Sequence, residues 1–156
     1  MMDNTYFIFA SDNGGCYSAG GKNGPFRGTK GTIFEGGTKV DAFVYSPLLK
    51  DAQKGKVYEG LMHVTDWFPT MLELANVPHT PRSGYDLDGV SQVASWETNI
   101  PARTTMLYNS VHNVKNKAFD VMTNGWFAVR NEQYKLVSTT ISTEKTQHDD
   151  TTFGHV

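Results

Sequence analysis

The stretch TYFIFASDNGG, Thr5 to Gly15, decides how the rest of the chain is read. Its first six residues are aromatic, β-branched and nearly all apolar, which predicts a strand buried on both faces, as in a parallel sheet. The strand stops at a run of turn-forming residues from Ser11 to Gly15. In open α/β sheets ligands bind beyond the carboxyl ends of the strands, and Asp12 and Asn13 stand at such an end. A carboxylate and an amide carbonyl are hard oxygen donors suited to Ca²⁺ or Mg²⁺. An isolated Ser-Asp-Asn-Gly corner is more often an ordinary Asx turn, so the neighbouring segments decide between the two.

The next segment is unusual. Residues 14–37 hold nine of the fifteen glycines and one acidic residue, Glu35, together with Lys22, Arg27 and Lys30. So much glycine predicts a long loop held close to something rather than a helix. Lys30 lies between Gly28 and Gly31, where the backbone can approach a bound anion and the ammonium can donate to sulfate or phosphate oxygens. The loop is not a P-loop, because Asn23 follows Lys22 where Ser or Thr is required and Cys16 stands at the first glycine.

Further along, Val40–Ser46 predicts a second strand, ended by Pro47. A helix is expected from Val64 onward, with Thr65 as N-cap, Asp66 at its positive end and Pro69 tolerated in the first turn. Phe68, Met71, Leu72 and Ala75 trace one buried face, and Asn76 and Pro78 end the helix. His63 and Asp66, three apart, are read as a helix entry with a hydrogen-bonded histidine. Thr105–Tyr108 predicts a strand, and Trp126–Arg130 with Gln133–Val137 a hairpin turning near Asn131-Glu132. The polar loop Arg82–Gly89 separates helix and strands. His148, Asp149, Asp150 and His155 resemble metal ligands on paper, but they stand in a Thr-rich tail without periodicity. The expected architecture is α/β: part of a parallel sheet with a flanking helix over 1–100, a small antiparallel unit over 101–137, and a poorly ordered tail over 138–156. A core strand so near the start needs sheet neighbours from outside the chain, so the 156 residues are expected to be a fragment.

Composition narrows the function. With 38% hydrophobic and 12% aromatic residues a packed core is expected. A net charge of -2 gives no global field for nucleic acid or an anionic membrane, so an anion site must be local. No apolar run approaches the length of about 18 residues that a membrane span needs. The single cysteine, Cys16, excludes an intrachain disulfide.

Together these segments resemble the type I sulfatases, on the arylsulfatase B side of that family. The likeness is carried by FIFASDNGG at 7–15, PFRGTKGTIFEGGTKVDAFVYSPLL at 25–49 and HVTDWFPTMLELANV at 63–77. Weaker matches follow at LDG (87–89) and FAVRNEQYKLV (127–137), and the likeness covers roughly residues 3–137. It implies an alkaline-phosphatase-like α/β fold and Ca²⁺-dependent hydrolysis of sulfate esters, either aryl sulfates or sulfated sugars. By position, Asp12 and Asn13 would be calcium ligands and Lys30 would contact the sulfate. A secreted or lysosomal location is implied as well. The nucleophile of the family is a hydrated formylglycine made from the Cys or Ser of a C/S-x-P-x-R motif.

The chain departs from that pattern. Cys16-Tyr17-Ser18 lacks the proline, and Ser46-Pro47 has it one residue too early. The nucleophile, the histidines and the remaining metal-binding aspartates would come from a missing N-terminal part of the same domain, so the 156 residues alone are expected to be inactive. Tyr108 stands where the arylsulfatase B branch places a histidine near the substrate, which bears on the choice of substrate and not on the chemistry. Two alternatives stay open: a phosphate or phosphonate ester hydrolase of the same superfamily, and a non-catalytic anion-binding module. Asn13 weighs against the first, since those relatives carry histidine after the metal-binding aspartate, and imidazole suits Zn²⁺ or Mn²⁺ better than Ca²⁺.

Overall fold

The apolar run near the start forms β1, Phe7–Ala10, in a computed structural model that describes residues 2–79, 86–108 and 127–138. Its partner is β2, Ala42–Tyr45, and the pairing is antiparallel, with Phe7 opposite Tyr45 and Ala10 opposite Ala42. The expected parallel sheet does not occur among the described residues. The reason is the connection. A parallel return needs a crossover, usually helical, whereas here the Gly-rich loop folds back and the Ser11 N–H bonds the Asp41 carbonyl (3.1 Å), extending the antiparallel ladder.

Burial on both faces is corrected too. Side chains alternate across a strand, so Phe7, Phe9, Phe43 and Tyr45 share one face, where they are 47–57% exposed. The rings shield one another, with Phe43 stacked on Phe7 (5.8 Å between centroids) and on Phe9 (5.4 Å). Ile8 and Val44, on the other face, are half-buried. Both faces are apolar, as a doubly covered strand requires, but the described residues leave the aromatic face open.

The chain separates into two compact units. One is anchored on Met1–Pro47 with the described parts of Leu107–Val129 and Lys135–Val156, the other on Leu48–Met106 with Arg130–Tyr134. Strands β3 (Thr105–Tyr108), β4 (Phe127–Asn131) and β5 (Lys135–Ser138) form a three-stranded sheet in that order. The Asn131 side chain accepts from the N–H groups of Gln133 (2.9 Å) and Tyr134 (2.7 Å) and so shapes the β4–β5 turn at the place the sequence predicts. Residues 139–156, including His148, Asp149, Asp150 and His155, lie outside the described residues.

Within the Gly-rich loop only a short 3₁₀ turn, Tyr17–Ala19, and a four-residue helix α1, Glu35–Thr38, form. The longer helix α2, Trp67–Leu74, is preceded by a 3₁₀ turn at Val64–Asp66. Its entry is capped by His63 and not by Thr65. The His63 Nδ1 accepts from the Thr65 N–H (3.3 Å), and the Asp66 carboxylate accepts from the His63 N–H (2.8 Å). This reciprocal arrangement is a capping box with histidine in the usual Ser/Thr position. Asn76 takes a left-handed φ of 53° and the Val77 N–H returns to the Leu72 carbonyl (2.9 Å), closing the helix. A second short helix, α3 (Val93–Thr98), follows, with Trp96 against Trp67 at 6.4 Å.

The expected buried face of α2 is not the observed one. Phe68 and Met71 are 51% and 44% exposed, while Thr70 is fully buried. What the helix buries is a polar network. Asp66, with no exposed surface, accepts from Arg103 Nε (2.9 Å) and Nη2, from the Val90 N–H (2.9 Å) and from Gln92 Nε2 (3.1 Å). Thr70 donates to the Asp66 carbonyl (2.6 Å) and accepts from the Gln92 N–H (3.0 Å). Burial alone would push the Asp66 carboxyl up, but the Arg103 fork and the His63 and Val90 amides outweigh it and hold it below the usual carboxylate range.

Arg103→Met would strand that carboxylate. Removing one partner of a buried, hydrogen-bonded pair costs about 3–5 kcal/mol, so thermal melts at neutral pH should show a markedly lower Tm. Because the folded pKa is depressed, this stability is present above the ordinary carboxylate range and is lost as pH falls through the folded value. The gap between wild type and variant should therefore narrow in acid. An equal Tm at neutral pH would contradict the assignment.

Candidate functional site

The candidate site lies in the first unit, where the chain leaves β1. Ser11 turns it, its hydroxyl donating to the Asn13 carbonyl (2.9 Å). The Asn13 side-chain N–H donates to the Gly14 carbonyl (3.1 Å), and its amide oxygen accepts no hydrogen bond from the described residues. Asp12 is exposed and makes neither ion pair nor hydrogen bond with the described residues. The corner therefore presents oxygens that the fold does not itself consume.

Gly14 is buried, and its N–H bonds the Gly37 carbonyl (3.0 Å). A Cβ at Gly14 would collide with the Gly36 carbonyl oxygen, so two backbone segments meet at a separation only glycine permits. Next, the Gly15 carbonyl accepts three donors: Asn23 Nδ2 (2.8 Å), Thr29 Oγ1 (2.8 Å) and the Lys30 N–H (3.2 Å). Asn23 works in both directions, since its Oδ1 accepts from the Gly15 N–H (2.6 Å) and its Nδ2 also reaches the Gly28 carbonyl (3.2 Å). Thr29 and Thr32 then tie the Lys30 turn to itself, the Thr32 hydroxyl donating to the Thr29 carbonyl (2.8 Å). Gly28 holds a φ of 96°, which the tight return requires.

The structure thus joins two of the predicted regions through their backbones: Lys30 is one hydrogen bond from Gly15, two residues beyond Asn13. The Lys30 side chain is exposed. Its charge helps hold the Cys16 thiol below its usual pKa, behind the larger effects of the Ser18 hydroxyl and the Ala19 amide. Arg27 differs, its guanidinium lying over the Phe34 ring at 4.3 Å. Beside the corner is a cleft of about 340 Å³, lined by Ser11, Asn13, Lys22, Lys39 and Asp41 among others. Asn13 lines it, whereas Asp12 and Lys30 do not. Tyr108, at the end of β3, is half-buried, with the Lys135 ammonium 3.8 Å from its ring centre. The bridging residues Asn23, Thr29 and Thr32 were not read as functional from the sequence. Their only signal is that they are side-chain hydrogen bonders scattered through a glycine-rich loop.

No group of three His, Cys, Asp or Glu residues able to hold a metal occurs among the described residues. Asp12 and Asn13 fit part of a calcium shell: both offer oxygen, and neither oxygen set is spent on the protein. Calcium takes six to eight oxygens, so other residues or water must complete it.

A sequence model of the family described as Sulfatase matches residues 1–77. Mouse arylsulfatase J is 40% identical over 117 residues, covering 73% of this chain and 18% of its own length. An arylsulfatase of Clostridium perfringens is 31% identical over 138 residues, covering 85% of this chain and 27% of its own. The crystal structure of Ps i-CgsB in complex with k-i-k-neocarrahexaose superposes with a TM-score of 0.70 at 26% identity, over 88% of this chain and 28% of that one. The chain belongs to the sulfatase family. It spans only about a fifth to a quarter of the length of these curated relatives.

Asn23→Ala should loosen the loop. It leaves the Gly15 N–H without its acceptor and takes donors from two carbonyls, and each buried group left unsatisfied costs about 1–3 kcal/mol. Faster amide exchange at Gly15 and Lys30 in a folded variant is the expected result; unchanged exchange would contradict this role.

Proposed function

We propose that this chain supplies the calcium-binding corner and the sulfate-binding lysine of a sulfatase that hydrolyses sulfuric esters. The observation that carries the reading is the Gly15 carbonyl, which ties the Lys30 backbone to the Asp12-Asn13 corner in a family whose named members here are arylsulfatases. The substrate would be an aryl sulfate or a sulfated sugar, and the nucleophile would come from parts of the domain beyond these residues.

In this reading Asp12 supplies a carboxylate and Asn13 an amide carbonyl to the cation. Calcium would supply positive charge against which an anionic ester is held. Lys30 carries the chemistry that this chain can perform. As the S–O bond breaks, negative charge moves onto the leaving oxygen and the sulfuryl oxygens. A cation held beside them stabilises the transition state more than the bound ester, and so raises kcat rather than merely lowering KM. The anchored backbone matters because a preorganised donor needs no rearrangement as the charge develops. Asn13 in place of a histidine favours calcium and sulfate over the phosphate-ester alternative.

Arg27 provides the control, three residues away with the same charge but stacked on Phe34. In the full-length protein, Lys30→Ala should lower kcat on the order of 100- to 1000-fold. Arg27→Ala should act mainly through Tm. Asp12→Ala should weaken calcium binding and abolish turnover. Equal losses of kcat at Lys30 and Arg27 would mean that only net charge counts. Wild-type kcat in a folded Lys30→Ala variant would remove the lysine from the site, whereas a full-length protein without any turnover would favour a non-catalytic anion-binding module.

A further inference from the structure

Lys135 opens β5, far along the chain from the Gly-rich loop, yet its side chain is only 11% exposed. Its ammonium meets Glu35 Oε1 at 2.9 Å, Thr38 Oγ1 at 3.1 Å and the face of Tyr108 at 3.8 Å. Glu35 and Thr38 are the first and last residues of α1 and share one of its faces. A four-residue helix cannot hold itself together. Elsewhere α1 is gripped by the loop: the Gly36 N–H bonds the Arg27 carbonyl (2.7 Å), and the Gly37 carbonyl accepts from Gly14 (3.0 Å). The helix is therefore fastened by the segments that carry Asn13 and Lys30 and, separately, by one lysine.

We propose that Lys135 is a positioning residue. Its ion pair with Glu35 fixes where α1 sits, and α1, through Gly14 and Arg27, fixes how the Asp12-Asn13 corner and the Lys30 turn face each other. Tyr108 then serves as the platform that orients this ammonium. Desolvation strengthens the arrangement: a partly buried cation with a carboxylate on one side and an aromatic face on the other has few alternative positions. The activity part of the test rests on the sulfatase reading, whereas the structural part does not.

Lys135→Met, Lys135→Arg and Glu35→Gln in the full-length protein form the test, followed by hydrogen exchange and steady-state kinetics on an aryl sulfate. Loss of the charged bond should speed amide exchange at Gly14 and Gly37 by about tenfold or more. Exchange around Asp66 should stay as in wild type. Lys135→Arg, which keeps the charge, should restore much of the protection. Misplacing catalytic groups by a fraction of an ångström should lower kcat by up to about 100-fold with little change in KM. If Lys135→Met does not fold, Glu35→Gln must reproduce the local loosening by itself. Unchanged exchange at Gly14 and Gly37 in the folded variants, or equal loosening around Asp66, overturns the proposal. If the wild type turns over no aryl sulfate, the sulfatase reading fails, and the exchange results still decide the role of Lys135.

Discussion

Gly14 lies so close to the Gly36 carbonyl that no side chain fits between them, and its N–H is spent on Gly37. From this backbone contact the remainder of the first unit follows. It stops the chain just after Asp12 and Asn13 leave β1. It brings the end of the glycine-rich loop back beside its beginning, so that the return into β2 must run antiparallel to β1. It also leaves Gly15 facing the middle of the loop, where its carbonyl gathers Asn23, Thr29 and Lys30. Ordering a loop so rich in glycine costs much conformational entropy. Here its backbone is tied down by short-range hydrogen bonds, and the charged side chains remain available.

The second unit solves a different problem. Among its described residues only two apolar side chains are buried, Leu61 and Met106. With so little apolar burial, order depends on directional interactions, and Asp66 provides them. Its two oxygens collect an Arg103 fork, two backbone amides and the Gln92 amide, joining the entry of α2 to the segments before and after α3. Each donor has a required position, so the network specifies geometry more strongly than a greasy contact of the same size would.

Much of the molecule could be read from residue order. The hairpin turning at Asn131, the strand Thr105–Tyr108 and the helix end at Asn76 form where local chemistry puts them, because turn and cap preferences act over a few residues. The family, too, was legible, through the Ser-Asp-Asn-Gly corner taken together with the Lys30 loop. What was not legible depended on distant partners. Whether β1 pairs parallel or antiparallel is decided by the return at Asp41, and Phe68 and Met71 are exposed because α2 turns Thr70 inward to the distant Gln92 amide. Asp66 looked like a helix-end charge because nothing in its own neighbourhood announces Arg103. Lys135 carried no signal at all, since its partners Glu35 and Tyr108 lie elsewhere in the sequence.

In the proposed function the Asp12-Asn13 corner and Lys30 serve calcium-dependent cleavage of a sulfate ester. The most direct test is to compare hydrolysis of 4-nitrophenyl sulfate and 4-nitrophenyl phosphate by the full-length protein, before and after calcium is removed with a chelator and then restored. The sulfate ester should be strongly preferred, turnover should disappear on chelation, and calcium alone should restore it. Preference for the phosphate ester, or sulfate-ester turnover indifferent to chelation, would contradict this reading.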